Sequence, residues 1–285
     1  MNSALLTVIS LALFLCGAVC YGATLFLEAP AAPAPLPEQA GKPSKISLYG
    51  RLLLWGGISL EFVAIGIWCI QMHRSPFASN FGTLIITGWA LALLYGLLEL
   101  KTKLPALGAA ILSVVSLILF WGLVHSGGPV AESPILSQRI VSIHVLATVI
   151  SFGLFAVGGA CAGLYLWQHR TLKKTPAKGL FRRLPPLATL DTVSYRSVAF
   201  ALPFLTLGLT LGIIYIYRGG APVPPFWWLD PKTVVAFATW GLYIFYFTMR
   251  SAVGWSGVRL QYVLIAGLLA ALALYLIPGT LHKFL

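Results

Sequence analysis

The sequence predicts an all-α protein that crosses a lipid bilayer about eight times, with both termini outside. Of its 285 residues, 59% are hydrophobic and only 9% are charged, whereas an ordinary soluble domain carries roughly 25% charged residues. The apolar residues fall in runs of about 20, the length that a helix needs to cross a hydrocarbon core. Because backbone amides in lipid must pair within their own segment, each spanning run is expected to be helical.

The predicted helices follow one another along the whole chain. In order, the apolar runs occupy residues 4–27, 52–72, 79–100, 104–124, 140–168, 193–217, 232–249 and 260–278. No Lys or Arg precedes the first run, unlike a secretory signal, so we expect that helix to be retained. We divide the chain into residues 1–50, which hold the first helix and a Pro/Ala-rich cytoplasmic loop, and residues 51–285, which hold the remaining helices.

The basic residues indicate the orientation in the membrane. A net charge of +12 would suggest nucleic acid in a soluble chain. Here the basic residues are concentrated in short loops between apolar runs. We therefore expect the chain to contact anionic lipid and not to bind nucleic acid. Fourteen of the 19 Lys and Arg residues fall on one side of the predicted helices, which places that side in the cytoplasm. The other five are Arg74, Arg139, Arg218, Lys232 and Lys283.

Four of the five histidines fall on the predicted outer side, namely His73, His125, His144 and His282. The fifth, His169, lies on the inner side, where a solvated interfacial residue is the simplest interpretation. Imidazole is a good axial ligand for heme iron, and two from different helices can hold one heme between them. Interfacial histidines are also ordinary amphipathic anchors, and their positions alone do not separate these alternatives.

The outer loop between the sixth and seventh helices runs from Ala221 to Thr233 and contains an aromatic pair, Trp227 and Trp228. Tryptophans favour the membrane interface, but indoles beside histidines can also form a surface on which a porphyrin stacks. Asp230 and Pro231 have the pattern of a capped helix start. Arg139 and Arg218 lie on the same side and could meet either lipid headgroups or heme propionates.

Two further features concern chemistry inside the apolar runs. Glu61 interrupts the second run, where a carboxyl is expensive unless it is protonated, paired or facing a cavity, so it is a functional candidate whose partner the sequence does not reveal. The four cysteines form no CxxC or CxxCH motif, so neither thiol-disulfide exchange nor covalent heme attachment has a visible carrier.

Several segments resemble the cytochrome c assembly proteins of the CcsA/ResC/CcmC type. Trp227-Trp-Leu-Asp-Pro-Lys232 resembles their WWD signature, whose fuller form reads WxWDPKE. Thr239-Trp-Gly-Leu-Tyr243 is similar to the TW-x-x-Y stretch that follows the signature, and Arg250 to the Arg that closes its helix. His144 and His282 match the two external histidines, and the resemblance covers about residues 70–285.

This resemblance implies that residues 51–285 form a heme-handling domain in the inner (plasma) membrane. A b-type heme, bound non-covalently at the outer, periplasmic face, would have His144 and His282 as iron ligands and would lie under the loop of Trp227, Trp228 and Asp230. The implied partners are an apocytochrome c and a partner assembly protein. Because no residue set for thioether formation is visible, a component of a heme lyase is expected more than an enzyme that acts alone.

Departures from the signature favour other interpretations. Leu229 replaces the usual tryptophan before the Asp, Thr233 replaces the Glu after the Lys, and Thr248 stands where larger members have a membrane-embedded histidine. These differences argue against a heme route through the membrane and leave an outward heme site. The same departures favour a resemblance to the HemX-like branch of the family. That resemblance implies a membrane regulator of heme biosynthesis that acts through the basic segment 170–183. A transporter or structural subunit, with its aromatics serving only as a belt, is the third alternative.

Overall fold

The computed structural model describes residues 2–27, 45–73, 76–102, 104–124, 139–173, 184–218 and 226–276. Within these ranges the chain forms eight α-helices: α1 Ser3–Leu27, α2 Lys45–Met72, α3 Asn80–Thr102, α4 Pro105–Val124, α5 Arg139–Leu172, α6 Leu187–Tyr217, α7 Pro231–Ser251 and α8 Val258–Leu276. Short 3₁₀ helices at Pro76–Ala78 and Trp227–Leu229 precede α3 and α7. No strand occurs in the described ranges, and the predicted all-α class is confirmed.

Six of these helices, α1 to α6, are long and apolar enough to cross a membrane. The apolar part of α8, Val258–Leu274, is shorter. The helix α7 is more polar, with Lys232 near its start and Arg250 near its end. The chain is therefore a polytopic, multi-pass membrane protein, as the sequence predicts.

The helices pack as two joined groups. In the N-terminal group, α1 packs against α2 and α4, and α3 packs against α2 and α4. In the C-terminal group, α5 packs along α6 and against α8, while α7 packs on α8 and α6. Contacts of α3 and α4 with α5 join the two groups. Antiparallel neighbours bring the start of α5, the end of α6, the start of α7 and the end of α8 to one end of the C-terminal group.

In each group, an aromatic ring packs against a glycine of the neighbouring helix. A Cβ atom added at Gly57 in α2 would lie 2.7 Å from the ring of Phe14, and one at Gly267 in α8 would lie 2.7 Å from the ring of Tyr243. Tyr243 also stacks on Phe155, with 3.6 Å between the ring centroids. Small residues let membrane helices approach closely where no hydrophobic effect drives them together.

Two ion pairs lie at the end that the charge distribution assigns to the cytoplasm. In the N-terminal group, Arg51 lies 3.5 Å from the buried Glu99. In the C-terminal group, Arg250 of α7 lies 2.6 Å from Asp191 of α6, and Gln261 of α8 donates to the same carboxylate at 2.8 Å. Each pair joins two consecutive helices, α2 with α3 and α6 with α7. The opposite charges in each pair offset part of the cost of placing a charge inside an apolar bundle.

Candidate functional site

His144 lies one and a half turns inside the start of α5 and is hydrogen-bonded to the neighbouring helix. Its Nδ1 atom is 2.6 Å from the carbonyl oxygen of Gly208 in α6. Because a carbonyl oxygen only accepts, Nδ1 carries the proton and donates it. The neutral ring then has its lone pair on Nε2, and a backbone carbonyl on the other nitrogen is the usual support of a histidine that binds a metal.

Two glycines of α6 make room for this histidine. A Cβ atom at Gly212 would lie 3.2 Å from Cε1 of His144, and one at Gly208 would lie 2.6 Å from Cγ2 of Thr148. The two glycines are four residues apart, so they lie on one face of α6. This face receives α5 closely enough for an imidazole to reach a helix carbonyl.

The tryptophans of the loop pack against the end of the same helix. Trp227 makes an edge-on contact with Tyr217, the last residue of α6, at 6.4 Å between ring centroids. Tyr217 follows Gly212 by five residues, a rise of about 7.5 Å. Trp227 and His144 therefore both contact α6, near the same end of this helix.

The aromatic rings of the loop are steeply inclined to one another. Trp227 and Trp228 meet at 79°, and Phe226 and Trp228 meet at 78°. Trp228 is 52% exposed and Leu229 is 65% exposed, whereas Trp227 is partly buried. In the described part of this loop, the exposed side chains beside Trp227 are those of Phe226, Trp228 and Leu229.

Asp230 and the residues around it fix the shape of the loop. Its Oδ1 atom accepts from the backbone amides of Lys232 at 3.1 Å and Thr233 at 3.4 Å, and Pro231 occupies the first helical position. The prediction of a capped helix start is confirmed. Phe226 opens the loop with a φ of 68°, a left-handed conformation that is rare for a bulky residue.

The remaining outer residues predicted from sequence are distributed as follows. Arg139 begins α5 and Arg218 follows the end of α6, and both are exposed with no side-chain partner among the described residues. His73 is exposed at the end of α2 with a φ of 50°. His125 and His282 lie outside the described residues, although α8 ends at the same end of the bundle as His144.

Two positions lie away from this end. His169, in the last turn of α5, stacks on Tyr165 at 6.0 Å, on the predicted inner side. Thr248, where larger assembly proteins have a histidine, is exposed on the outside of α7. In the described part of the chain, His144, the aromatic loop, Arg139 and Arg218 thus lie at one end of the C-terminal group, and His169 and Thr248 lie toward the other end.

Three residues of the site were not predicted, namely Gly208, Gly212 and Tyr217 of α6. The glycines form a G-x-x-x-G motif, which is a sequence signal for close helix contacts in membranes. Tyr217 carried no comparable signal, because an aromatic at a helix end is typical of any membrane interface.

The model of the family described as "Cytochrome C assembly protein" matches residues 78–285. The chain belongs to this family. Among its relatives, the cytochrome c biogenesis protein CcsA of Guillardia theta is 25% identical over 240 residues, which cover 78% of this chain and 79% of CcsA. The protein HemX of Bacillus subtilis is 25% identical over 214 residues, 73% of this chain and 74% of HemX. The HemX of Brevibacillus brevis is 31% identical over 147 residues, 49% of this chain and 52% of that HemX.

One solved structure, the cytochrome c heme lyase CcmF, is similar to this cytochrome c assembly family member over the whole chain. The TM-score is 0.63 and the sequence identity is 16%, so the likeness concerns the fold. This chain spans 49% of the length of CcmF. The family match over residues 78–285 confirms the recognition of the family from the WWD-like segment, and α1 and α2 lie before the matched region.

Proposed function

We propose that this protein is a heme-handling factor of cytochrome c biogenesis. It holds a b-type heme non-covalently at its outer end, with His144 and His282 as the axial ligands of the iron. Family membership supports the role in cytochrome c biogenesis. The hydrogen bond from His144 Nδ1 to the Gly208 carbonyl is the observation that carries the proposal of heme ligation, because it leaves Nε2 as a lone-pair donor.

Other residues at this end suit a porphyrin. The exposed face of Trp228 offers a stacking surface, and Leu229 beside it offers apolar contact. Arg139 and Arg218 are exposed cations that can pair with the propionates. Asp230 acts through its cap on α7, which fixes where the aromatic loop leaves the helix. Heme supplies the iron and the vinyl groups that form thioethers with cysteine thiols, while this chain holds and orients it.

The proposed setting is the inner (plasma) membrane, with the site on the outer or periplasmic side. The excess of basic residues near the ends of α5, α7 and α8 opposite His144 supports this orientation. We propose that an apocytochrome c and a partner assembly protein receive the heme there, and that anionic lipid contacts the basic inner side. The chain would act as one component of a heme lyase.

The experiment is a reduced-minus-oxidised absorption spectrum of the purified protein. We expect a b-type heme spectrum in the wild type and loss of most heme from His144→Ala and His282→Ala. The matched controls are His73→Ala and His169→Ala, which remove an exposed histidine and an inner histidine. If the His144 and His282 variants keep the heme content of the wild type, the proposed ligands are wrong.

A second candidate function is regulation of heme biosynthesis by a HemX-like protein. The matches to HemX from two bacilli and the presence of Leu229 in the signature favour it. A deletion strain separates the two functions. Loss of c-type cytochromes at an unchanged level of the first heme-synthesis enzyme supports assembly, whereas a changed level of that enzyme with normal cytochromes supports regulation.

A further inference from the structure

Glu61 of α2 is the one described carboxyl inside the membrane helices that has no cationic partner. Glu99 is paired with Arg51, and Asp191 is paired with Arg250. The Glu61 side chain is 0% exposed, and its Oε2 atom has no hydrogen-bond partner among the described residues. Its Oε1 atom accepts from the Thr7 hydroxyl of α1 at 3.1 Å.

The surroundings of Glu61 contain hydroxyls and no charge. The hydroxyl of Ser10 is the other polar side chain near the carboxyl. Its proton is donated to the Leu6 carbonyl at 3.1 Å, so its oxygen can accept from a protonated Glu61. The helices α1 and α4 contain no charged residue. The charged residues of α2 and α3 lie toward the opposite end, and the other titratable groups of these helices are cysteines and tyrosines. The charged set is Lys45, Arg51, Glu99 and Lys101, and the neutral set is Cys16, Cys20, Tyr21, Tyr49, Cys69 and Tyr95.

An unpaired carboxylate in this setting would be costly, because burial removes its hydration and nothing replaces it. A protonated carboxyl avoids that cost. Its O–H can donate to a nearby oxygen, while its carbonyl oxygen still accepts from Thr7.

Three hydroxyl side chains line one face of α1 between its start and the level of this carboxyl. Ser3, Thr7 and Ser10 are buried and are spaced at i, i+4 and i+7, so they share one face of the helix. Thr7 lies about 6 Å of helix rise from Ser3. Ser3 adjoins the exposed Asn2, so the row begins at the surface.

We propose that Glu61 is a proton-binding site that exchanges its proton with water at the N-terminal end of α1 along Ser3, Thr7 and Ser10. In the proposed orientation this end faces the outside. The site lies before residue 78, where the family match begins, and it shares no residue with the proposed heme site. It gives the protein a carboxyl that gains or loses a proton within the membrane.

Infrared spectroscopy of the full chain in lipid nanodiscs tests the first half of this proposal. A protonated carboxyl has a carbonyl stretching band above the amide I band. We expect this band in the wild type at neutral pH, its loss in Glu61→Gln and its retention in Glu99→Gln, whose carboxylate is ion-paired. Glu61→Asp keeps a carboxyl at this position and should shift the band without removing it. This shift would assign the band to residue 61 even if the Gln variant misfolds. A wild-type spectrum with no band that depends on Glu61 overturns the proposal.

Transfer into D₂O tests the second half. The band should move to lower frequency as the proton exchanges, and Ser3→Ala and Thr7→Val should slow that exchange several-fold. Thr24→Val is the matched control, because Thr24 is a buried hydroxyl at the other end of α1 that donates to the Tyr21 carbonyl. A band that does not exchange, or equal slowing by Thr24→Val, contradicts access along the Ser3–Ser10 row.

Discussion

Replacing Asp191 by Asn removes the negative charge at a contact between three helices. Asp191 of α6 is ion-paired with Arg250 of α7 and accepts a hydrogen bond from Gln261 of α8. Arg250 Nη2 lies 2.6 Å from Asp191 Oδ2, and Gln261 Nε2 donates to Oδ1 at 2.8 Å. The amide oxygen of Asn can still accept from Gln261, so the substitution isolates the charge. The Arg250 guanidinium would keep its bond to the Trp255 carbonyl at 3.1 Å and lose its counter-ion.

The expected cost follows from the burial of the pair. Removing one partner of a buried ion pair destabilises proteins by about 3–5 kcal/mol. The side chains of Arg250 and Asp191 remain 22% and 12% exposed, so water can replace part of the lost interaction. We therefore expect the lower end of the range, about 3 kcal/mol of unfolding free energy.

The assay is reversible unfolding in mixed micelles with increasing SDS, followed by tryptophan fluorescence. Asp191→Asn and Arg250→Gln should each lower the free energy of unfolding. The loss in the double variant should be smaller than the sum of the two single losses by about 1–3 kcal/mol. A cost below about 1 kcal/mol would mean that the pair behaves like an exposed one, and our account of the C-terminal group would be wrong.

Two further predictions concern local contacts. Asp230→Ala should destabilise the protein by about 1 kcal/mol, whereas Asp230→Asn, which can still cap α7, should change its stability little in the same unfolding assay. If both variants lose heme while Asp230→Asn unfolds like the wild type, the carboxylate has a role beyond the cap. Gly267→Ala should cost about 1–3 kcal/mol, because the new Cβ would press on the Tyr243 ring. Gly241→Ala, where the added atom meets nothing within 4 Å, is its control, and equal stability of the two variants would contradict the close packing.

The limits of most helices were predictable from hydrophobic runs, but two starts were not. The second and sixth runs predict starts at residues 52 and 193, whereas α2 begins at Lys45 and α6 at Leu187. The predicted start was placed too late in each case because a charged residue, Arg51 or Asp191, lies just before the apolar run. Those charges are neutralised by Glu99 and Arg250 from other helices, and a hydropathy pattern contains no information about such tertiary partners.

The candidate site was predictable in its residue types and not in its contacts. The charge distribution and the WWD-like segment placed His144, Trp227 and Asp230 at one end of the bundle. The partner of His144 is a backbone carbonyl, and every residue has one, so no side-chain pattern identifies Gly208. Likewise, the partner of Glu61 is the hydroxyl of Thr7, one of many hydroxyls in the apolar runs.

Chemical rescue of His144→Gly tests the central claim most directly. The Gly variant removes the imidazole and leaves a cavity beside Gly208 and Gly212. We expect the purified variant to lose heme or its low-spin spectrum, and added imidazole to restore the low-spin spectrum. Imidazole should not alter the spectrum of His73→Gly, the matched control. A His144→Gly variant with the heme content and spectrum of the wild type, before any imidazole is added, would contradict the assignment of His144 as a heme ligand.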